Sequence, residues 1–424
     1  MHPKSSIGIV DANAFYCSCF AAFDAKLDGR PVVVLSNNDG NVIARSKEAK
    51  SLGIAMGQPY FEIRQTVAAH DVAVFSSNHG FFGEMSERFQ SLLSDYSPLI
   101  EHYSIDEAFI DLQPTSRMTV AAIAREIRRR VHKLSGVPVS VGVGKTKTLA
   151  KVALHHAKTS AKTRGVLDLT DSKHLAAALE RLPVAEVWNI GPARAEFLQR
   201  NGVANALELS EAPERWIRQH LTVVGLRTVQ ELRGVVCYPI NPEPPQRKQA
   251  TCSRAFGVAT DSLADVRAAV ANFTAISAAK LRKEGLLCGR LSVWLTTDGW
   301  SDKLPQYSNS MTFSVAPLSN CTLELSHLAL SGLRQIFKSG YQYKRAGVSL
   351  DLLEPEATAP LRLFVDDRYE LLQRLMMAID YCNARWGHGA VRVGLFPSSA
   401  RWRTRAGHPA PGYTTRWGDV MVTG

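Results

Sequence analysis

Three observations predict an α+β protein of several domains. The chain has 424 residues, more than one hydrophobic core organises, so two to four domains are expected. Short apolar strands and amphipathic helices twice follow the order βαββαβ, the pattern of a sheet with its helices on one face. Between the two runs, Cys237 to Gln249 holds Pro239, Pro242, Pro244 and Pro245, a density that makes an extended tether.

In order, Ile7 to Asp11 reads as a buried strand ending in an acid. Asn13 to Phe20 then turns into a helix that Asp11 could N-cap. Pro31 to Leu35 is an all-apolar strand, Ser36-Asn37-Asn38-Asp39-Gly40 a turn, and Val42 to Ala44 a strand. Arg45 to Lys50 begins a short helix that Gly53 stops. Gln58 to Ala69 is a helix and Val72 to Phe75 a strand. Phe82, Met85, Phe89, Leu92 and Leu93 share one face of a helix between Asn78 and Tyr96. Val120 to Leu134 is an amphipathic helix with Arg125, Arg128, Arg129 and Lys133 on its polar face. Val137 to Gly144 is a core strand, and Lys145 opens a helix running to about Lys158. Gly144-Lys145-Thr146 is not the end of a P-loop, because Val139 stands where that pattern needs glycine.

Leu175 to Gly234 is helical with short connections. Within it, Val187 to Arg194 is similar to a helix-hairpin-helix, in which Gly191 and Ala193 would aim backbone N–H groups at a DNA phosphate; an ordinary helical hairpin fits equally well. The second βαββαβ run comprises Thr251 to Phe256, Leu263 to Leu286, Cys288 to Thr297, Ser310 to Val315, Leu323 to Lys338 and Ala346 to Leu353, a second ferredoxin-like unit. Its strands and edges carry Arg254, Arg290, Lys344 and Arg345, read either as phosphate contacts or as a solvated face. Beyond it, Leu361-Arg362-Leu363-Phe364 is an apolar plug and Tyr369 to Trp386 a helix. The Arg-, Gly- and Pro-rich remainder is expected to stay irregular until it meets a partner.

Hydrophobic content of 45% and charged content of 21% are those of a soluble globular protein. Lys and Arg outnumber Asp and Glu by 50 to 39, a net +11 that favours a polyanionic partner, nucleic acid before anionic membrane. No apolar run is long enough to span a bilayer, and the first residues lack the apolar core of a signal peptide, so a cytosolic protein is expected. Seven scattered cysteines argue against a disulfide framework. Cys17 and Cys19 have no second pair nearby, which disfavours zinc.

The chemistry is expected at Tyr103 to Asp111. Asp106 and Glu107 lie within an apolar, β-prone run, and buried acids are costly unless a cation compensates them. A turn with both acids at its exposed tip is the local alternative. Asp11, at the end of the first strand, supplies a third acid and favours a divalent metal held between acidic strand ends.

Asp11-Ala12-Asn13-Ala14-Phe15-Tyr16, Leu35 to Arg45, Tyr103 to Phe109 and Gly144 to Lys151 together resemble Y-family translesion DNA polymerases. The asparagine-rich turn and Tyr413-Thr414-Thr415-Arg416 are similar to the UmuC type, the catalytic subunit of bacterial DNA polymerase V. The resemblance implies a right hand: palm 1–15 and 80–168, fingers 16–79, helical thumb 169–236, linker 237–249, DNA-binding little finger 250–353 and a partner-binding region 354–424. It implies that Asp11, Asp106, Glu107 and the Ala12 carbonyl hold two Mg²⁺ ions. Tyr16 would be the steric gate against a ribose 2′-hydroxyl, with Phe15 beside it under the nucleotide. Lys50 and Lys158 would hold the triphosphate, and Lys47, where many relatives have tyrosine, would contribute less. Gly191, Ala193, Arg254 and Arg290 would contact DNA. Leu361, Leu363 and Phe364 match a sliding-clamp peptide in which Pro360 replaces the usual glutamine. The implied activity is error-prone, template-directed synthesis past lesions in the bacterial SOS response, on primer-template DNA with dNTPs, in the cytoplasm and at the nucleoid. The implied partners are a UmuD′-like dimer and a RecA filament. Two other readings stand beside it: a DNA-bound scaffold without catalysis, and a nucleotidyl cyclase built on a similar sheet.

Overall fold

The computed structural model describes residues 6–170, 172–243, 246–301, 304–359, 367–387, 389–393, 404–414 and 416–419. The chain divides into two compact units. One is formed by residues 1–36, 40–244 and 408–424, the other by 37–39 and 245–407.

In the first unit, β1 (Ser6–Ala12) and α1 (Phe15–Ala21) are followed by β2 (Val32–Leu35), β3 (Val42–Arg45), α2 (Lys47–Ser51), α3 (Tyr60–Ala69) and β4 (Ala73–Ser76). Then come α4 (His79–Ser91), β5 (Ile100–His102), β6 (Glu107–Leu112), α5 (Val120–Ser135), β7 (Val139–Gly144), α6 (Lys147–Thr159) and β8 (Val166–Asp168). The main sheet has the order β5-β6-β1-β7-β8, antiparallel except for the parallel β7–β8 pair. Its first four strands have the ferredoxin order. β8, three residues long, is too short to show an alternation in the sequence.

The helices were expected on one face, but they cover both. Val10, Ala108 and Ile110 pack in a core shared with α4 and α5, whereas Ile7, Ile9 and Phe109 pack on Ala150 and Leu154 of α6. Successive residues of β1 point to opposite faces and are apolar on each, so both faces need cover. The approach of α6 to β7 depends on glycine. A Cβ on Gly142 would lie 2.4 Å from the Ala150 carbonyl oxygen, and one on Gly144 2.7 Å from the Ala150 nitrogen. β2, β3 and β4 form a separate sheet of order β3-β2-β4 around Val33, Leu35, Val42 and Ile63.

The helices α7 (Leu175–Arg181), α8 (Pro192–Arg200), α9 (Ala206–Glu211) and α10 (Glu214–Leu232) share their own core. The proline-dense stretch after them is not free along its length. Glu231 Oε1 accepts Cys237 N and Tyr238 N at 2.9 and 3.0 Å, and Glu101 Oε2 accepts Asn241 N at 2.7 Å. Carboxylates thus capture N–H groups that no helix or sheet uses.

The second unit contains β9 (Gln249–Thr260), α11 (Leu263–Lys283), β10 (Leu286–Thr297), β11 (Ser308–Ser319), α12 (Thr322–Ile336), β12 (Tyr343–Pro355) and α13 (Asp367–Trp386). Its sheet order is β11-β10-β12-β9, fully antiparallel. This corrects the ferredoxin-like expectation, since the second and fourth strands are central, not the first and third. The βαββαβ succession is common to both orders; here β12 pairs in the free edge of β10 and leaves β9 outside. Arg282 holds α13 through a two-point contact with Asp380 at 2.6 and 2.8 Å. Among the described residues, no helix is long and apolar enough to cross a membrane.

Candidate active site

Asp11 is an interior residue of the sheet, not a helix cap. The N-cap of α1 is Ala14, in the left-handed region at φ 45°, without a side-chain cap. The register sets Asp11 directly opposite Glu107. Asp106 is the last residue of the β5–β6 turn, and its carbonyl accepts Ala12 N at 2.8 Å. The turn is closed by Tyr103 N and Ser104 N on the Glu107 carbonyl, at 3.1 and 3.0 Å. Asp106 and Glu107 are half-buried, so the exposed-tip alternative does not describe them.

Lysines of α6 answer the acids one for one. Lys147 Nζ lies 2.5 Å from Glu101 on β5, Lys151 Nζ 2.8 Å from Glu107 on β6, and Lys158 Nζ 2.5 Å from Asp11 on β1. At about 100° per residue, these lysines fall within roughly 40° of one another on the helix. Lys147 and Lys151 also lie 4.9 and 5.9 Å from the centre of the Phe109 ring. Of the three, the sequence reading singled out only Lys158. The spacing of Lys147, Lys151 and Lys158 was the signal for the others.

Burial, with Glu107 alongside, pushes Asp11 up to about 7 against the pull of Lys158. Burial alone would raise Glu107 as well, but its hydrogen bond with Asp11 and the Lys151 ammonium outweigh burial and hold it below the usual range. Of the two facing acids, Asp11 is the one whose charged form burial disfavours. Asp11 Oδ1 is buried, and its partner is the Lys158 ammonium 2.5 Å away.

Among the described residues, no three Asp, Glu, His or Cys side chains stand together as a ready metal site. The expected convergence of all three acids is therefore incomplete. Asp106 Oδ1 accepts Ser104 Oγ at 2.6 Å, a contact within its own turn. The donor set nevertheless suits a hard divalent cation: it is all oxygen, two carboxylates face each other across the sheet, and a buried Asp11 oxygen is already held by a cation, the Lys158 ammonium.

Tyr16 stacks on Phe82 with centroids 4.1 Å apart, and its phenol is raised by burial and by the charge of Asp106. Phe15, expected under the nucleotide beside Tyr16, is a core residue only 4% exposed, with its ring against Phe82 and Phe89. Lys47 and Lys50 are exposed on α2, and Lys47 pairs with Glu48 at 3.5 Å. Gly191 caps α8 at an exposed helix start, with Ala193 just inside it. Leu361, Leu363 and Phe364 lie outside the described residues.

In the second unit, register places Arg290 with Ser292, Trp294, Ser349 and Thr312 on the sheet face away from the helices. Arg345 is on the same face, 5.6 Å from the centre of the Trp294 ring. Arg254 falls in step with Ala250, Cys252 and Phe256 on the helix-covered side and emerges at the edge strand β9. The two arginines expected to act together are thus on opposite faces.

A further buried acid was missed. Glu231 is fully buried and accepts Thr148 N at 2.9 Å on Oε2, while its carbonyl accepts Thr146 Oγ1 at 2.9 Å. It fixes the first turn of α6, whose cap is Thr146.

The model of the impB/mucB/samB family matches residues 10–155, and that of its C-terminal domain matches residues 247–363. A third, described as a domain of unknown function (DUF4113), matches residues 373–422. The chain is 38% identical to Protein UmuC of Salmonella typhimurium over 97% of its own length and 99% of that protein's. It is 36% identical to Protein MucB of Escherichia coli over 98% of each chain. It is 34% identical to DNA polymerase IV of Moorella thermoacetica over 56% of this chain and 59% of that one. These matches define a DNA-directed DNA polymerase of the translesion class, with DNA and dNTPs as substrates and a divalent metal as cofactor. Within that class, the chain belongs to the impB/mucB/samB family, the UmuC type of Y-family polymerase.

Proposed function

We propose that the protein carries out error-prone translesion synthesis in the bacterial SOS response, in the cytoplasm and on the nucleoid, adding dNTPs to a primer 3′-hydroxyl. The observation that carries the catalytic reading is the pairing of Asp11 with Glu107 across β1 and β6, with the Lys158 ammonium 2.5 Å from the buried Asp11 carboxylate. Asp11, Glu107, Asp106 after release from Ser104, and the Ala12 carbonyl would hold two Mg²⁺ ions. When bound, these ions supply activation of the hydroxyl and stabilisation of charge on the leaving pyrophosphate.

The remaining work belongs to the chain. Lys158 exchanges Asp11 for the triphosphate, joined by Lys50 and more weakly by Lys47. Tyr16 excludes a 2′-hydroxyl by contact. Arg290 and the α8 start at Gly191 and Ala193 bind DNA phosphates, with Arg254 at the sheet edge. In hand terms, the five-stranded sheet is the palm, the β2–β4 layer the fingers, α7–α10 the thumb and the second sheet the little finger. A UmuD′-like dimer and a RecA filament remain the proposed partners of residues 354–424, and a sliding clamp that of Leu361, Leu363 and Phe364.

The test is primer extension past an abasic template site, with and without a UmuD′-like partner and RecA–ATP. Asp106→Ala should abolish extension and leave DNA affinity within about twofold, because the proposed phosphate contacts lie elsewhere. Extension that survives this change refutes the metal assignment. Binding without extension by the unaltered protein would favour a scaffold, and a cyclic nucleotide product would favour a cyclase.

A further inference from the structure

Residues 408–414 leave the second unit and return to the first. His408 accepts Ser76 N at 2.7 Å through its carbonyl and donates its own N–H to Ser76 Oγ at 3.1 Å. Its ring meets Tyr60 edge-on at 5.3 Å. Tyr413 is only 7% exposed. It stacks on Phe23 at 5.1 Å with an interplanar angle of 7°, and lies 6.0 Å from Phe81. Ala410 packs against the same core.

Ser76 ends β4, and Phe81 lies in the first turn of α4. The returning segment therefore grips the β4–α4 junction at both ends. The next residue along α4, Phe82, is the ring on which Tyr16 stacks. Phe81 and Phe82 are each 1% exposed or less, and Phe20 closes on both at 5.5 Å. In a core packed this closely, a shift of the α4 first turn moves Phe82 and hence Tyr16.

We propose that the segment around Tyr413 is a positioning strut that fixes Tyr16 through Phe81 and Phe82, so that sugar selectivity depends on a residue of the region otherwise described only as a domain of unknown function. The proposal rests on the reading of Tyr16 as the sugar-excluding residue. Tyr413 touches no substrate in this scheme. It acts by holding the wall that Tyr16 presents.

The experiment compares single-nucleotide insertion of dNTP and rNTP by the full-length chain carrying Tyr413→Ala, Tyr413→Leu, Tyr413→Phe or Tyr16→Ala. Tyr413→Ala should lower the dNTP-to-rNTP preference by about tenfold, the scale of a small displacement at a reactive site, while DNA affinity stays unchanged. Tyr413→Phe, which keeps the stacked ring, should restore the preference. If Tyr413→Ala does not fold, Tyr413→Leu decides, because it fills part of the pocket without a ring. A preference within twofold of the unaltered protein in the folded Ala or Leu variant, alongside a relaxed Tyr16→Ala, overturns the strut and leaves the gate intact. An unchanged preference in Tyr16→Ala overturns the gate reading and the strut with it.

Discussion

Replacing Glu231 with glutamine should destabilise the first unit and impair synthesis without touching any proposed ligand. The carboxylate is fully buried and accepts Thr148 N, Cys237 N and Tyr238 N at 2.9 to 3.0 Å. Hydrogen bonds to a charged group contribute about 1.5–3 kcal/mol each. Glutamine can keep Oε1 for Cys237 and Tyr238, but its amide N–H₂ then faces the Thr148 N–H, donor against donor. One bond is lost and two are weakened, for a cost of about 3 kcal/mol. Glu231→Ala strands all three N–H groups and should cost more, roughly 5 kcal/mol, since such losses do not add fully. Trp188 is a built-in probe, because its ring lies 5.6 Å from Tyr238 and 5.9 Å from Tyr103. Urea unfolding followed by tryptophan fluorescence, with hydrogen exchange at Thr148 and Tyr238, would measure both effects. Because α6 carries Lys151 and Lys158, extension should fall further than DNA affinity. A glutamine variant within about 0.5 kcal/mol of the parent, with unchanged exchange at Thr148, would refute the account of the α6 anchor.

Two further predictions concern packing and DNA. Gly142→Ala would set a methyl 2.3 Å from Leu154 N and should cost about 3 kcal/mol or more, with α6 displaced; a melting temperature equal to the parent's would contradict that packing. Arg290→Ala and Arg345→Ala should each weaken DNA binding and reduce its salt slope by about one, whereas Arg254→Ala, on the other side of the sheet, should do so less. Titration at several salt concentrations tests the contrast, and equal losses at Arg254 and Arg290 would show that the sheet face does not govern binding.

The strand and helix periodicities of both units were legible because apolar spacing depends only on local geometry. The site was legible in its members but not in its geometry. Only strand register shows that Glu107, and not Asp106, stands opposite Asp11. Lys147 and Lys151 were overlooked because a polar face on a helix usually faces water, and their partner acids come from two different strands. Glu231 gave no signal at all, since an acid near the end of an amphipathic helix reads as solvated. The strand order of the second unit was also out of reach, because the same succession of elements accommodates either order. The Tyr413 contact joins residues almost 400 positions apart, and nothing in the local composition of 404–419 announces a binding pocket in its own chain.

The three-segment make-up of the first unit has a consequence for synthesis of the protein itself. Residues up to 244 can emerge and fold early, but the pocket around Phe23 and Phe81 stays uncovered until Tyr413 leaves the ribosome. At about 5–20 residues per second, that interval lasts roughly 10–30 s. A chain stalled or broken off within the second unit would carry an unfinished aromatic surface and be visible to chaperones and proteases. Synthesis as far as Tyr413 would then act as a checkpoint, so that only molecules that include this segment reach the mature core.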